Sequence, residues 1–140
     1  MRKVIYIYHR TDTPENTYKI GKADQRTDQA DDISIGEVGQ IRISEQLTAA
    51  TYGKYVVVRT FDISHVKNST KVEGQIHGGI QDAGFTRLRR VLKGDDREKN
   101  GNTEWFDFED LSIGEVLDLV KSLVEKYAGA SGLPQYKGRW

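Results

Sequence analysis

Two short apolar stretches separated by a polar turn constrain this chain most. Val4-Ile5-Tyr6-Ile7-Tyr8 comes first, and Tyr18-Lys19-Ile20-Gly21 follows. Residues 3–9 alternate around β-branched and aromatic types and read as a strand. Between Thr11 and Thr17 stand Asp12, Pro14, Glu15 and Asn16, which is turn chemistry. Residues 18–22 read as a second strand, ended by Gly21. The pair is therefore a hairpin with a rather long loop, and alternation puts Tyr6 and Tyr8 on one face.

The remaining elements follow from periodicity and caps. Residues 23–33, with Asp24, Asp28, Asp31 and Asp32, read as an acidic loop. A helix is expected to begin between Ser34 and Gln40 and to end near Tyr52-Gly53. Lys54–Ile63 reads as a strand, and its continuous apolar run predicts a central, two-sided one. Residues 68–83 read as a helix capped by Asn68 or Ser69, with Val72, Ile76, Ile80 and Ala83 as its stripe. Gly74, Gly78 and Gly79 weaken it by roughly 1 kcal/mol each relative to alanine, so a close approach to its backbone is expected. Lys93–Asn102 reads as a charged loop and Glu104–Phe108 as a short strand. Ser112-Ile113-Gly114-Glu115 is a capping box that opens a last helix to about Tyr127. Ser-Ile-Gly-Glu-Val occurs at both 34–38 and 112–116 with unlike flanks, which reads as two capping boxes and not a duplication. The order β-β-α-β-α-(β)-β-α predicts an α/β (α+β) fold: a small central, mostly antiparallel sheet flanked by helices.

A chain of 140 residues suits one domain, expected over 1–128, with 129–140 as a tail or the start of a linker. There is no cysteine, which excludes disulfides and thiolate metal sites. No apolar run approaches a membrane span, so no membrane partner and a soluble, cytoplasmic protein are expected. Lys plus Arg and Asp plus Glu both number 21, giving no net charge. The charges are nevertheless segregated. Arg87, Arg89, Arg90, Lys93, Arg97 and Lys99 fall in one segment, and Glu104, Asp107, Glu109, Asp110, Glu115 and Asp118 in the next. A basic stripe facing phosphates fits this pattern, and so does a solvated surface of paired charges.

Ile5-Tyr6 followed by Lys19-Ile20-Gly21 resembles the GIY-YIG nuclease superfamily, in a variant subgroup of phage and restriction-type systems with lysine in the second motif. The resemblance extends to Arg42, to Glu73 within Val72-Glu73-Gly74-Gln75-Ile76-His77, and to Glu104-Trp105-Phe106. It covers about residues 4–108. The chain departs from the family pattern at Val4, where the first motif has glycine, and at Gln46, where many relatives carry histidine. The insertion between Gly21 and Arg42 is longer than usual and acidic.

What the resemblance implies is a metal-dependent endonuclease that hydrolyses DNA phosphodiester bonds. Tyr6 would be the general base. A free phenol ionises near pH 10, so it needs a nearby cation, which Lys19 would provide. Arg42 would hold the phosphate with its planar fork. Glu73 would bind Mg²⁺ (or Mn²⁺), an oxygen-seeking ion that keeps most of its waters. His77, one turn after Glu73, would orient that carboxylate, contact phosphate or join the metal; a histidine packed at the core edge fits equally. Arg87, Arg89, Arg90 and Lys93 would bind the DNA backbone. Arg26 competes with Arg42 for the phosphate role. Specificity would need an insertion, a dimer, or a fused or partner domain. The rival expectation is a catalytically inactive nucleic-acid or protein-interaction module that keeps the fold.

Overall fold

The computed structural model describes residues 1–10, 16–46, 55–88 and 105–129. The turn at 11–15, the expected helix end near Tyr52-Gly53, the 93–102 loop, Glu104, Arg89, Arg90, Lys93 and the tail beyond 129 lie outside them. The elements are β1 (Lys3–Arg10), β2 (Thr17–Asp24), α1 (Ile35–Gln46), β3 (Tyr55–Asp62), α2 (Ser69–Asp82), β4 (Thr86–Leu88), β5 (Trp105–Asp107) and α3 (Ile113–Ala128). The five strands form one sheet in the order β3-β1-β2-β5-β4, and every ladder is antiparallel. Among the described residues no helix is long and apolar enough to cross a membrane.

Strand alternation divides the core into two layers. Ile5, Ile7, Tyr18, Ile20, Phe61, Phe106 and Phe108 point to one face, where α2 and α3 cover them. Val4, Tyr6, Tyr8, Ala23 and Trp105 point to the other, where Ile35, Val38 and Ile43 of α1 pack on them. A helix over each face explains why both sides of the inner strands are apolar.

The expectation that residues 54–63 form a central strand is corrected: among the described residues β3 is a sheet edge, and β1 and β2 are inner strands. Its apolar run has two causes. Helices lie over both faces of the sheet, and the register with β1 shifts between Ile7 and Tyr8. Tyr8 pairs with Val57 whereas Ile7 pairs with Arg59, so Val58 is the extra residue of a bulge. The bulge breaks the period of two: unbroken alternation would put Val57 on the face of Phe61, whereas here Val57 meets the α1 layer and Val58 the opposite one.

Both copies of the repeated pentapeptide close capping boxes. At α1 the Glu37 amide donates to Ser34 Oγ (3.2 Å) and the Ser34 amide to Glu37 Oε1 (3.3 Å). At α3 the Ser112 amide donates to Glu115 Oε1 (3.0 Å) and the Glu115 amide to Ser112 Oγ (3.2 Å). The backbone bond from Ser112, then its hydroxyl, holds the Glu115 carboxyl below its ordinary value of 4.5. A depressed folded-state value means the charged cap stabilises α3 above the unfolded pKa and is lost as pH falls through the folded one. The stability difference in urea between wild type and Glu115→Gln should therefore be present at pH 7 and shrink as pH falls below 4.5. A difference that does not shrink in acid would assign it to something other than the carboxylate charge.

Among the three α2 glycines, only Gly79 meets a close neighbour. A Cβ there would sit 2.6 Å from a Leu123 methyl of α3, whereas Gly74 and Gly78 have nothing within 4 Å. The α2–α3 contact thus accounts for one glycine, and the structure gives no packing reason for the other two.

Candidate functional site

Antiparallel pairing of β1 with β2 sets Tyr6 opposite Gly21 and Tyr8 opposite Lys19. All four positions belong to the face under α1. The hydroxyl end of the Tyr6 ring lies over Gly21. A Cβ at Gly21 would overlap the Tyr6 hydroxyl and stand 2.5 Å from Tyr6 Cζ. The glycine of the second motif is thus required by the tyrosine of the first. Gly39 of α1 packs from above, where a Cβ would be 3.6 Å from Tyr6 Cβ.

Lys19 lies on the same face, two residues before Gly21. Its ammonium is 5.7 Å from the Tyr8 ring centroid, a cation–π distance. Its other backbone neighbour is Trp105 of β5, which stacks edge-on to Tyr8 at 5.5 Å. The Trp105 indole N–H is buried and has no hydrogen-bond partner among the described residues. Tyr6 and Lys19 are both 0 % exposed. A hydroxyl at that depth meets a phosphate only if the layer over it opens.

Helix α2 reaches the same strand from its other side. Ser69, Glu73 and His77 are spaced by four residues, so they lie along one side of the helix. The Ser69 hydroxyl donates to the Asp24 carboxylate at 2.8 and 3.0 Å. Eight residues on, His77 Nε2 is 2.7 Å from the Ile20 carbonyl. A carbonyl only accepts, so Nε2 carries the proton. The His77 ring also packs on Phe106, with centroids 5.2 Å apart. The β2–β5 ladder spans only Thr17–Lys19 among the described residues, and His77 takes up β2 beyond it. Glu73, which is half-buried, lies on the helix segment between these two clamps. Tyr6 thus lies over Gly21 on the α1 face, while α2 is tied to β2 from the opposite face at Ile20 and Asp24, on either side of Gly21.

Arg42 is half-buried on α1 and lines an open cleft of about 200 Å³ beside the end of β2. Arg26, its competitor in sequence, lines the same cleft, as does Lys22. Arg87 lies on β4 with its guanidinium 5.8 Å from the Phe106 ring centroid, so much of its surface is engaged by the sheet. Sequence reasoning missed Asp24 and Gln25. Asp24 was counted with the acidic loop, yet it ties β2 to α2. Gln25 is buried and bonds Arg2 in both directions: its amide donates to the Arg2 carbonyl (2.7 Å) and its side chain accepts from the Arg2 amide (2.9 Å). Its side-chain amide also donates to the Ala30 carbonyl (3.0 Å), and Ile33 is buried under α1, so the insertion is anchored at several points. A Q-x-x-x-x-A pattern in an acidic loop carried no signal for this.

The resemblance implies a divalent cation. Among the described residues no group of three or more His, Cys, Asp or Glu could hold a metal ion. Glu73 alone offers a hard oxygen donor where the resemblance expects one. Such a donor set fits Mg²⁺ or Mn²⁺, bound by one carboxylate with waters and substrate oxygens, and does not fit a closed protein cage.

A small antiparallel sheet between helices, with these two motifs paired across its central strands, defines a domain of the GIY-YIG nuclease superfamily. The chain belongs to the T5orf172 domain family within that class, whose profile matches residues 3–124. No curated protein and no solved structure matches the chain.

Proposed function

We propose that the domain is a metal-dependent endonuclease acting on DNA. The observation that carries this reading is the packing of Tyr6 over Gly21, with α2 tied to the same strand at Ile20 and Asp24, in a chain of a nuclease-associated family. Tyr6 accepts a proton from the attacking water through its phenolate oxygen. Lys19, beside it on β2, stabilises that phenolate by charge. Arg42 holds the non-bridging oxygens of the scissile phosphate with its planar fork. Glu73 holds Mg²⁺, which when bound supplies charge neutralisation at the phosphate and at the departing oxygen. His77 is a positioning residue: its bond to the Ile20 carbonyl fixes the register of α2 on β2 and so the place of Glu73. Because Tyr6 and Lys19 are fully buried, cutting requires the covering layer to open on substrate binding.

The same burial favours a second reading, a nucleic-acid-binding module that keeps the fold without cutting. Plasmid cleavage separates the two. Wild type with Mg²⁺ or Mn²⁺ should convert supercoiled plasmid to nicked or linear form, stop with EDTA, and resume when the metal is restored. Binding of the plasmid without any cutting, in either metal, would establish the second reading.

A further inference from the structure

We propose that the cleft beside Arg42 seats a second phosphodiester of the bound strand, next to the one being cut, with Lys22 and Arg26 as its ligands. The proposal deepens the nuclease reading and rests on it. Of the candidate-centre residues, Arg42 lines the cleft and Tyr6, Lys19 and Glu73 do not, so the cleft adjoins the centre through Arg42, and Lys22 and Arg26 are the cations left for a second phosphate. Three cations line it, Lys22 from β2, Arg26 from the following loop and Arg42 from α1, against one anion, Asp24. Val38 and Ile41 give it an apolar floor. Its volume of about 200 Å³ compares with roughly 30 Å³ for one liquid water, which leaves room for a phosphate with part of its hydration.

The cations are presented and not merely exposed. Arg26 sits at the start of a turn closed by two bonds: its amide donates to Gln29 Oε1 (3.0 Å), and the Gln29 amide to the Arg26 carbonyl (3.1 Å). Gln25, just before it, is the anchored residue described above. Two of the cations now rest on nearby carboxylates, Lys22 on Asp24 and Arg26 on Asp28, both at 3.3 Å. The Arg26–Asp28 pair is solvent-exposed and the Lys22–Asp24 pair partly so, and exposed pairs contribute at most about 1 kcal/mol. A phosphate can therefore displace them. Asp28 then acts as a placeholder, which gives the acidic insertion a use on a phosphate-binding face.

The test is equilibrium binding of a labelled DNA duplex at 50–200 mM salt, with Mg²⁺, in a Tyr6→Phe background so that cutting is negligible during the measurement. Each lost phosphate contact lowers the slope of log K against log salt by about 0.9. Arg26→Ala and Lys22→Ala should each show that decrease, or about 3.5-fold less affinity change over this salt range. Arg26→Lys should keep the slope, and Asp28→Asn should tighten binding. Thermal melts verify folding of each variant. Unchanged affinity and slope in Arg26→Ala, Lys22→Ala and Asp28→Asn would overturn the cleft proposal even where wild type cuts DNA. A wild type that neither binds nor cuts would overturn the nuclease reading and the cleft with it.

Discussion

Glu73→Gln is expected to lower DNA cleavage by at least two to three orders of magnitude while leaving the fold intact, and Tyr6→Phe should do the same. The magnitude is typical of removing a group that moves a proton or holds charge at the reacting centre. The two substitutions probe different steps. Glutamine keeps the shape of Glu73 and removes its charge, so a metal held there should bind weakly. Raising Mg²⁺ should then recover part of the rate in Glu73→Gln and none in Tyr6→Phe. Glu73 is half-buried on a helix clamped at Ser69 and His77, and thermal melts verify that Glu73→Gln keeps the fold. Phenylalanine at position 6 keeps the ring that fills the α1 layer and removes only the hydroxyl. Rates are read by plasmid nicking under single-turnover conditions. Equal rates in all three proteins would place the chemistry elsewhere.

Gly21→Ala should do comparable damage by a different route. The added methyl would overlap the Tyr6 hydroxyl and lie 2.5 Å from Cζ and 2.9 Å from Cε1. Tyr6 has no exposed surface and Gly39 packs against its Cβ, so the ring cannot slide away without disturbing α1. Overpacking of this kind costs about 1–3 kcal/mol. It also moves the proposed base away from the strand that α2 faces, so cleavage should fall with stability. A double-mutant cycle isolates the contact. In a Tyr6→Ala background the same Gly21→Ala change should cost far less, because the clashing ring is gone. Equal cost in both backgrounds would mean that the methyl strains something other than Tyr6.

Most of the secondary structure was legible because its signals are local. Alternation marked β1 and β2, Asn68 capped α2, whose side chain accepts from the Lys71 amide, and Ser112 opened α3 with its capping box. The family was legible for a related reason: two strand motifs, an arginine, a glutamate and an aromatic strand recur in order along the chain. The place of β3 was not legible. A run such as Tyr55–Val58 reads the same for a central strand as for an edge strand with a bulge under two helices. Asp24 and Gln25 were passed over because their side chains carry no distinctive spacing; their partners are set by the fold.

The sequence by itself determined which segments become strands and helices, where two helices begin, and that Tyr6 and Lys19 occupy neighbouring strands. Each of these depends on residues a few positions apart. Only the tertiary structure decided that α2 is pinned to β2 around Glu73, through contacts 45 and 57 residues apart. It alone decided that Tyr6 and Lys19 lie under a closed layer, and that Arg26 and Arg42 share one cleft. Those outcomes follow from how three helices partition the two faces of a single sheet. That partition is a sum of many long-range packing contacts, and no short window of sequence records it.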